Sequence, residues 1–408
     1  MAKCPCCLQG GLVVAVLALP LYAQKAESDP AIRSVATGPS SVDYQRWNNG
    51  PSSDPSYFPI AVWLQDPRNA ARFRDAGINL YVGLWKGPTD EQLSALKAAG
   101  MPVICAQNEV ALSSQNADAI AGWMHGDEPD NAQPRRDGDG YSPPVLPSAI
   151  VAVYERIRQR DSTRPVLLNL GQGVAYDQYI GRGVRRNHAE DYPEYIKGCD
   201  IASFDIYPAV HEKEEVAGKL EFVAKGVERL RRWSNDEKIV WNCIECSRIG
   251  NTKVKPTPHQ IRAEVWMSLI HGSRGLIYFV HQFEPTFKEA SLLDDPELLP
   301  AVTAINQQIL KLAPVLNSPT VDGAIKITGS DVGSPIAAMC KRHDGALYVF
   351  AVNMRNRAAR ATIELLKPAT NSTAQVLGDD RTVGIPGGRF EDAFEAYAVH
   401  LYRIEEGN

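Results

Sequence analysis

Two glutamates of this 408-residue chain lie in or directly after apolar segments that have the composition of buried strands. Glu128 follows GWMHGD in the segment GWMHGDEPD and precedes Pro129, where a strand has to stop. Glu245 lies within KIVWNCIEC, where an ionisable group is costly to bury without a partner or a function. Two carboxyls that face each other can cleave a glycosidic bond, because one protonates the leaving oxygen while the other attacks or stabilises the anomeric carbon. The sequence therefore predicts Glu128 and Glu245 as catalytic residues.

Other interpretations of these carboxylates stay open. Glu128 could be an acid at a helix N-terminus, and Glu245 could be the structural partner of an arginine such as Arg248. Glu109 follows the third apolar segment and Asp205 lies in the sixth, so an inverting glycosidase that uses one of them is the competing catalytic prediction.

Eight short apolar runs alternate with helical patterns and would position these residues. The helical pattern TDEQLSALKAAG begins with a capping-type threonine and closes on glycine. Continuous apolar strands that alternate with helices predict a parallel sheet covered by helices, and eight such units predict a closed (β/α)₈ TIM barrel over residues 57–316. An open doubly wound sheet is the alternative, but no glycine-rich phosphate loop follows the first strand. The runs are 58–65, 78–85, 101–107, 120–127, 164–170, 200–208, 238–246 and 274–283.

The pattern changes after residue 316. From 317 to 408, short strand-like segments follow one another with turn signals between them, which predicts a small C-terminal antiparallel β-sandwich domain. Its aromatic residues fall mostly in strand patterns, so we expect them to form its core and the domain to pack against the barrel. They are Tyr348, Phe350, Phe390, Phe394, Tyr397 and Tyr402.

The N-terminus has the composition of an export signal, predicted over residues 1–23. Lys3 supplies positive charge, an apolar run covers 11–19, and Ala23 is a plausible cleavage point. The run is too short for a permanent membrane anchor. We therefore expect a secreted or periplasmic protein whose residues 24–56 form a polar leader ahead of the barrel.

Cleavage of the signal would remove three of the eight cysteines. The remaining five are an odd number, so their pairing cannot be deduced. Two of them form a C-x-x-C pattern, but no second ligand pair at zinc spacing accompanies it, so buried thiols or an ordinary disulfide are expected rather than redox chemistry or a metal site. No cofactor is predicted. The five are Cys105, Cys199, Cys243, Cys246 and Cys340.

Composition excludes several classes of function. A hydrophobic content of 44% and a charged content of 22% are those of a folded globular protein. The net charge is -5 and no dense basic stripe occurs, so nucleic acid is not an expected partner. The chain has no G-x-S-x-G, H-E-x-x-H or Walker pattern, which excludes the hydrolases that depend on them.

Residues that end the other predicted strands are expected to contact substrate, because active sites of such barrels lie at the carboxyl ends of the strands. Rings at these positions could stack on sugar faces, and amides or imidazoles could bind hydroxyls. We therefore expect a carbohydrate substrate; the sequence does not indicate an oligomeric state. The predicted contacts are Trp63, Trp85, Gln107, Asp127, Asn169, Tyr207, His281 and Gln282.

Long loops after the fourth and fifth strands, at 131–147 and 171–195, contain arginines that could bind a uronate. The same loops contain at least as many acidic residues, so neither loop is net basic. An acidic glycan is the weaker expectation. The arginines are Arg135, Arg136, Arg182, Arg185 and Arg186.

Glutamates after the fourth and seventh strands, with Glu-Pro at the first, resemble clan A of the glycoside hydrolases, the retaining β-glycosidase superfamily. The resemblance covers about 58–315 and implies that Glu128 is the acid/base, that Glu245 is the nucleophile and that the substrate is a β-linked poly- or oligosaccharide. Tyr207 resembles the aromatic neighbour of the nucleophile and is expected to bond to Glu245. The clan usually has asparagine where this chain has Asp127, and GWMHGDEP resembles a less characterised branch. A barrel that binds glycans without cleaving them is the alternative from a different class.

Overall fold

The computed structural model describes residues 41–135, 138–329, 333–367 and 372–406. The predicted signal peptide and the first part of the predicted leader lie outside the described residues.

Eight parallel strands form the first domain, and the seventh closes them into a barrel. This seventh strand has two pieces on either side of Trp241: Ile239–Val240 pairs with the sixth strand and Asn242–Glu245 pairs with the eighth. The eighth strand in turn pairs with the first. The strands are β1 (Ile60–Trp63), β2 (Leu80–Val82), β3 (Val103–Ala106), β4 (Ile120–Met124), β5 (Val166–Leu170), β6 (Ile201–Phe204), β7 (Ile239–Val240 and Asn242–Glu245) and β8 (Leu276–Phe279).

A helix follows every strand, so the predicted (β/α)₈ barrel is confirmed. Two of the helices begin with a reciprocal capping box, made by Thr89 with Gln92 and by Thr257 with Gln260, because threonine three residues before glutamine satisfies two free backbone N–H groups. The helices are α1 (Ala70–Asp75), α2 (Asp90–Ala98), α3 (Glu109–Ser113), α4 (Pro147–Arg160), α5 (Tyr192–Tyr195), α6 (Glu221–Trp233), α7 (Pro258–Ile270) and α8 (Leu298–Leu316).

The barrel interior is filled by side chains from alternate strand positions, including Leu80, Ile104 and Trp241. Tyr44 and Trp47, from the segment that was expected to be a polar leader, belong to the same buried cluster. Trp241 donates a hydrogen bond to the Tyr44 hydroxyl (2.9 Å). The amino-terminal end of the barrel is thereby filled, which leaves the carboxyl ends of the strands to form a site.

The second domain is an antiparallel sandwich, as predicted. One sheet has the order β9–β12–β15 and the other has the order β10–β11–β16–β13–β14. All six aromatic residues that were expected in its core are buried. The strands are β9 (Ile325–Gly329), β10 (Ile336–His343), β11 (Ala346–Asn353), β12 (Ala359–Leu365), β13 (Ser372–Val376), β14 (Arg381–Ile385), β15 (Arg389–Phe394) and β16 (Val399–Glu405).

The sandwich packs on α7. The Phe350 ring of β11 lies 5.2 Å from the Trp266 ring, centroid to centroid, and both side chains are fully buried. Tyr397 adds a hydrogen bond to the Gly218 carbonyl (2.6 Å) across the same boundary. The two domains therefore share part of one hydrophobic core.

All five cysteines in the described part of the chain are buried free thiols, so no disulfide forms among them. Within the same described ranges, no group of three or more histidine, cysteine or carboxylate residues is arranged to hold a metal ion. None of the helices there combines the length and the apolar character needed to cross a bilayer.

Candidate active site

Glu128 lies just beyond β4 in a strained turn with a positive φ of 40°. Its backbone N–H donates to the Asn169 carbonyl (3.2 Å) at the neighbouring strand β5. Its carboxyl lies against Gly171, where an added Cβ would be 2.9 Å from Oε1. The turn thus directs the Glu128 side chain towards the barrel mouth, and only glycine at 171 leaves room for it.

The Glu128 carboxyl forms a hydrogen-bonded pair with Asp205, which follows β6. Burial, together with the nearby charges of Asp127 and Asp130, raises the pKa of Glu128 to about 7, against the opposing effect of the hydrogen bond to Asp205. Burial and the Glu128 charge likewise raise the pKa of Asp205 well above its ordinary value. Since Oδ1 of Asp205 receives no bond from any N–H or O–H donor, the pair holds a proton at neutral pH.

Asp127 lies beside this pair and remains accessible to solvent. Its Oδ1 accepts a hydrogen bond from the Asn169 amide (2.9 Å), and Asn169 Oδ1 accepts one from the Ser203 hydroxyl (2.8 Å). This chain of bonds fixes the orientation of the Asn169 amide. The structure therefore brings Asp127, Glu128 and Asn169 together.

Asp130 supports the turn from behind. It is fully buried and accepts bonds from the Gly171 N–H (2.9 Å) and the Tyr192 hydroxyl (3.0 Å), with an Arg182 nitrogen 4.0 Å away. The sequence analysis had not singled out Asp130, although an aspartate directly after Asp-Glu-Pro was the available signal.

Two tyrosines border the carboxyl pair. Tyr207 is buried with its ring 5.2 Å from that of Phe279, and the charge of Asp205 adds to the burial that raises its pKa. Tyr179, in the loop after β5, is half-buried, and the charges of Glu128 and Asp205 help to raise its pKa. Nothing in the sequence around Tyr179 indicated this position.

The described contacts of Glu245 do not include Glu128, so the expected pairing of the two glutamates stays a prediction. The Glu245 side chain is fully buried, Oε1 accepts from the Ala209 N–H (2.5 Å), and its carboxyl hydrogen-bonds to that of Glu264 on α7. Burial raises the pKa of Glu245 to about 8, and Oε2 has no donor. The Glu245 carboxyl is therefore held between the loop after β6 and the helical layer.

The expected bond between Tyr207 and Glu245 is accordingly absent from the described contacts of either residue. Tyr207 instead hydrogen-bonds with the thiol of Cys243, which lies two residues earlier on β7 and faces the barrel interior.

Glu109, one of the alternative carboxylates, lies on the outer surface. Its side chain is 84% exposed and pairs with Arg160 of α4 (2.7 Å). Asp205 is therefore the alternative carboxylate that the structure brings to Glu128.

Three of the predicted substrate contacts occupy different environments. Trp63 is buried inside the barrel, Trp85 is 67% exposed after β2, and the Gln107 amide donates to the Ile157 carbonyl (3.1 Å) of α4. Gln107 thus bonds to the helical layer, where it shares the Ile157 carbonyl with the Asp161 N–H at the end of α4.

The last two predicted contacts lie after β8. His281 is buried, and its Nε2 lies 3.2 Å from the Gln65 amide nitrogen. Gln282 donates to the Thr286 carbonyl (3.2 Å) within its own loop. The Gln65 amide thus already contacts the His281 ring, and the Gln282 amide is already bonded to the backbone of its own loop.

The arginines considered for uronate binding are largely paired with protein groups. Arg182 and Arg185 both bond to Asp191, and Arg186 bonds to Gln178 (2.7 Å). Arg136 lies outside the described residues. The three arginines described at 182–186 therefore already bond to protein groups and do not form a separate cluster for an acidic sugar.

No protein-family profile and no curated protein matches the chain. It is similar in structure to an α-amylase from Geobacillus thermoleovorans complexed with acarbose (TM-score 0.51, 10% identity, 86% of this chain and 99% of the other). It is also similar to AmyP in complex with maltose (TM-score 0.50, 9% identity, covering 83% and 88%). A GH30 endoxylanase from Clostridium papyrosolvens aligns over 92% of this chain and 99% of its own, with a TM-score of 0.48 and 10% identity.

The chain is thus a (β/α)₈-barrel protein with a trailing β-sandwich, and it shares its fold with glycoside hydrolases. The fold-level resemblance expected from the sequence is confirmed.

Proposed function

We propose that this protein is a glycoside hydrolase whose catalytic residues are Glu128 and Asp205. The observation that carries the proposal is the hydrogen-bonded carboxyl pair at the carboxyl ends of β4 and β6, in which burial raises both pKa values and the shared hydrogen bond keeps the proton on Asp205. A carboxyl that keeps its proton at neutral pH can donate that proton to a leaving oxygen, and a neighbouring carboxylate can act at the anomeric carbon.

In this mechanism the bond between the anomeric carbon and the glycosidic oxygen breaks, and its electron pair stays on that oxygen. The oxygen takes the proton of Asp205, which holds the proton of the pair because the shared hydrogen bond raises the pKa of Asp205 and lowers that of Glu128. The Glu128 carboxylate either removes a proton from the water that attacks the anomeric carbon, or attacks that carbon itself and is released in a second step by water, whose proton returns to Asp205. Either route consumes one water; in the first route a proton then passes from Glu128 back to Asp205 before the next cycle.

The two routes differ in carboxyl separation. Retaining enzymes hold the two groups about 5–5.5 Å apart and inverting enzymes about 6.5–9.5 Å apart. Glu128 and Asp205 share a hydrogen bond and therefore lie closer together than either of these separations. In either route, the bound substrate has to move the two carboxyls apart. The anomeric configuration of the product therefore decides between the routes.

Residues around the pair are suited to hold a sugar. Asp127 can accept a bond from a hydroxyl, and Asn169 fixes its orientation. Tyr207 and Tyr179 border the carboxyls with rings and hydroxyl groups. We propose Asp127 and Tyr179 as substrate-binding residues.

The two-glutamate retaining mechanism stays a prediction. For Glu245 to act as nucleophile, its carboxyl has to leave Glu264 and the Ala209 N–H and turn into the mouth. The β configuration of the substrate bond and export from the cell also stay predictions from the sequence.

Three isosteric variants test the proposal. We expect Glu128→Gln and Asp205→Asn each to lower kcat/KM on a cleaved polysaccharide by at least about 10²-fold, the range typical of general acid–base groups. Glu245→Gln should retain turnover if it acts only in the structure. Circular dichroism should show that all three variants are folded, and NMR of the first product should give the anomeric configuration.

The outcomes separate the candidates. Full activity of Asp205→Asn together with loss in Glu245→Gln would establish the two-glutamate mechanism instead. Binding of a glycan without hydrolysis by the unmodified protein would favour the non-catalytic barrel.

A further inference from the structure

An aromatic cluster extends from the proposed catalytic pair to the protein surface. The Tyr207 ring lies 5.2 Å from Phe279, which lies 5.2 Å from His281 and 6.3 Å from Phe283. His281 stacks on Phe283 at 6.2 Å and on Phe287 at 6.1 Å, with interplanar angles of 14° and 21°. The rings therefore form one continuous series of contacts that begins two residues from Asp205.

The outer end of this cluster is exposed. Phe283 is 50% and Phe287 is 62% exposed, although both belong to the most apolar side-chain class, and their ring centroids are 5.8 Å apart. Tyr207, Phe279 and His281 at the inner end are largely covered. The exposed faces thus belong to two adjacent rings on a loop at the carboxyl end of β8.

Backbone bonds hold this loop in a defined shape. Gln282 and Lys288 exchange two hydrogen bonds (2.9 and 2.8 Å), and the Phe283 N–H donates to the Ile249 carbonyl (2.7 Å). Two exposed rings that are kept in place beside a candidate active site can bind an apolar surface at a small cost in conformational entropy.

We propose that Phe283 and Phe287 form an aromatic platform that binds a neutral sugar unit of the substrate other than the unit whose bond is cleaved. This inference rests on the proposed function and narrows it to glycans of several units. Phenylalanine has no hydrogen-bonding group, so the platform would bind the C–H face of a pyranose, whereas hydroxyl contacts come from residues nearer the carboxyl pair.

Two exposed rings are too small a surface for a stable protein partner, because a specific interface buries about 800 Å² on each side. Continuity with the carboxyl pair through Phe279 favours the substrate itself as the occupant.

Affinity electrophoresis with soluble xylan, starch or mixed-linkage β-glucan in the gel tests the platform. The parent is the full chain with Glu128→Gln, which prevents hydrolysis during the run. We expect at least one polysaccharide to retard the parent, and the added pair Phe283→Ala and Phe287→Ala to weaken that binding at least about tenfold. The matched control is Leu366→Ala, which removes an apolar side chain that is 51% exposed on the sandwich, and it should bind like the parent.

Several outcomes overturn the platform: retardation of the parent by none of the three polysaccharides, unchanged retardation of the double variant, or an equal loss in the Leu366 control. A change in the elution volume of the double variant on size exclusion, with retardation unchanged, would assign the rings to a protein contact. Phe-dependent binding without hydrolysis by the unmodified protein would reject the proposed function and keep the platform. Hydrolysis at a rate that the double substitution leaves unchanged would reject the platform and keep the proposed function.

Discussion

At the scale of single residues, the protonation of Glu128 should set the pH dependence of activity. Its pKa is raised to about 7, first by burial, so its carboxylate forms as pH rises through 7, while Asp205 keeps the proton of the pair. We expect kcat/KM to rise as pH rises through about 7. A profile of kcat/KM between pH 5 and 9 on a cleaved polysaccharide checks this expectation, and a flat profile across that range would contradict it.

Asp127 supplies part of that shift, because its negative charge disfavours ionisation of Glu128. Asp127→Asn keeps the shape and can still accept the Asn169 amide bond, but it removes the charge. The acidic limb of kcat/KM should therefore move to lower pH. Asp118→Asn, on the outer surface, is the matched control and should leave the limb in place.

Gly171 is the residue whose size the site restricts most directly. A Cβ there would lie 2.9 Å from Glu128 Oε1 and 2.7 Å from Asn131 Oδ1. Gly171→Ala should displace the Glu128 carboxyl and lower kcat/KM on the order of 10²-fold, since a shift of about 1 Å can have that effect. Gly250→Ala, where an added Cβ meets no atom within 4 Å, should be neutral. Equal kinetics of the two variants would show that the site adapts without loss.

At the scale of elements, α7 and β7 are joined by the buried carboxyls of Glu245 and Glu264. Burial raises both pKa values, that of Glu245 to about 8, so the folded protein holds a proton that the unfolded chain releases near pH 4.5. The stabilising effect of this proton is present at low pH and is lost as pH rises towards 8.

Glu264→Gln should remove part of this dependence, because the amide does not titrate, whereas burial still raises the pKa of Glu245. We expect the fall in the free energy of unfolding between pH 6 and pH 9, measured with urea, to become smaller by on the order of 2 kcal/mol. Glu155→Gln on the exposed face of α4 is the control. If both variants have the pH slope of the parent, the pair does not titrate in this range.

The element pattern was predictable from the sequence, whereas the direction of single side chains was not. Strand and helix periodicity is local, so eight units and the change near 317 could be recognised. Glu245 and Asp205 carry the same sequence signal, an ionisable group at an apolar strand, and only their neighbours distinguish them. Glu264 is 19 residues away and Ala209 is 36 residues away along the chain, and neither forms a motif with Glu245.

The same reasoning applies to the residues that the sequence analysis missed. Tyr179 reaches the carboxyl pair from a long loop whose path depends on tertiary contacts. Asp127 and Asn169 could be expected at the mouth because they end strands whose carboxyl ends meet in any such barrel. Position along a strand was thus predictable, and pairing across the barrel was not.

At the scale of the whole molecule, the sandwich completes the core around α7, so its loss should destabilise the barrel. Phe350 is fully buried against Trp266, and truncating a buried phenylalanine typically costs about 3–5 kcal/mol. All seven tryptophans lie between residues 47 and 266, so tryptophan fluorescence reports on the barrel, including its boundary with the sandwich at Trp266. Phe350→Ala should therefore shift the fluorescence unfolding transition to lower urea, although the substitution is in the other domain.

Phe390→Ala removes an equally large ring from a cluster formed by sandwich residues only, so it should shift the tryptophan transition less. Equal shifts would mean that the two domains unfold as one cooperative unit whatever the position of the lost ring, whereas no shift in Phe350→Ala would mean that the barrel is stable without the sandwich against α7.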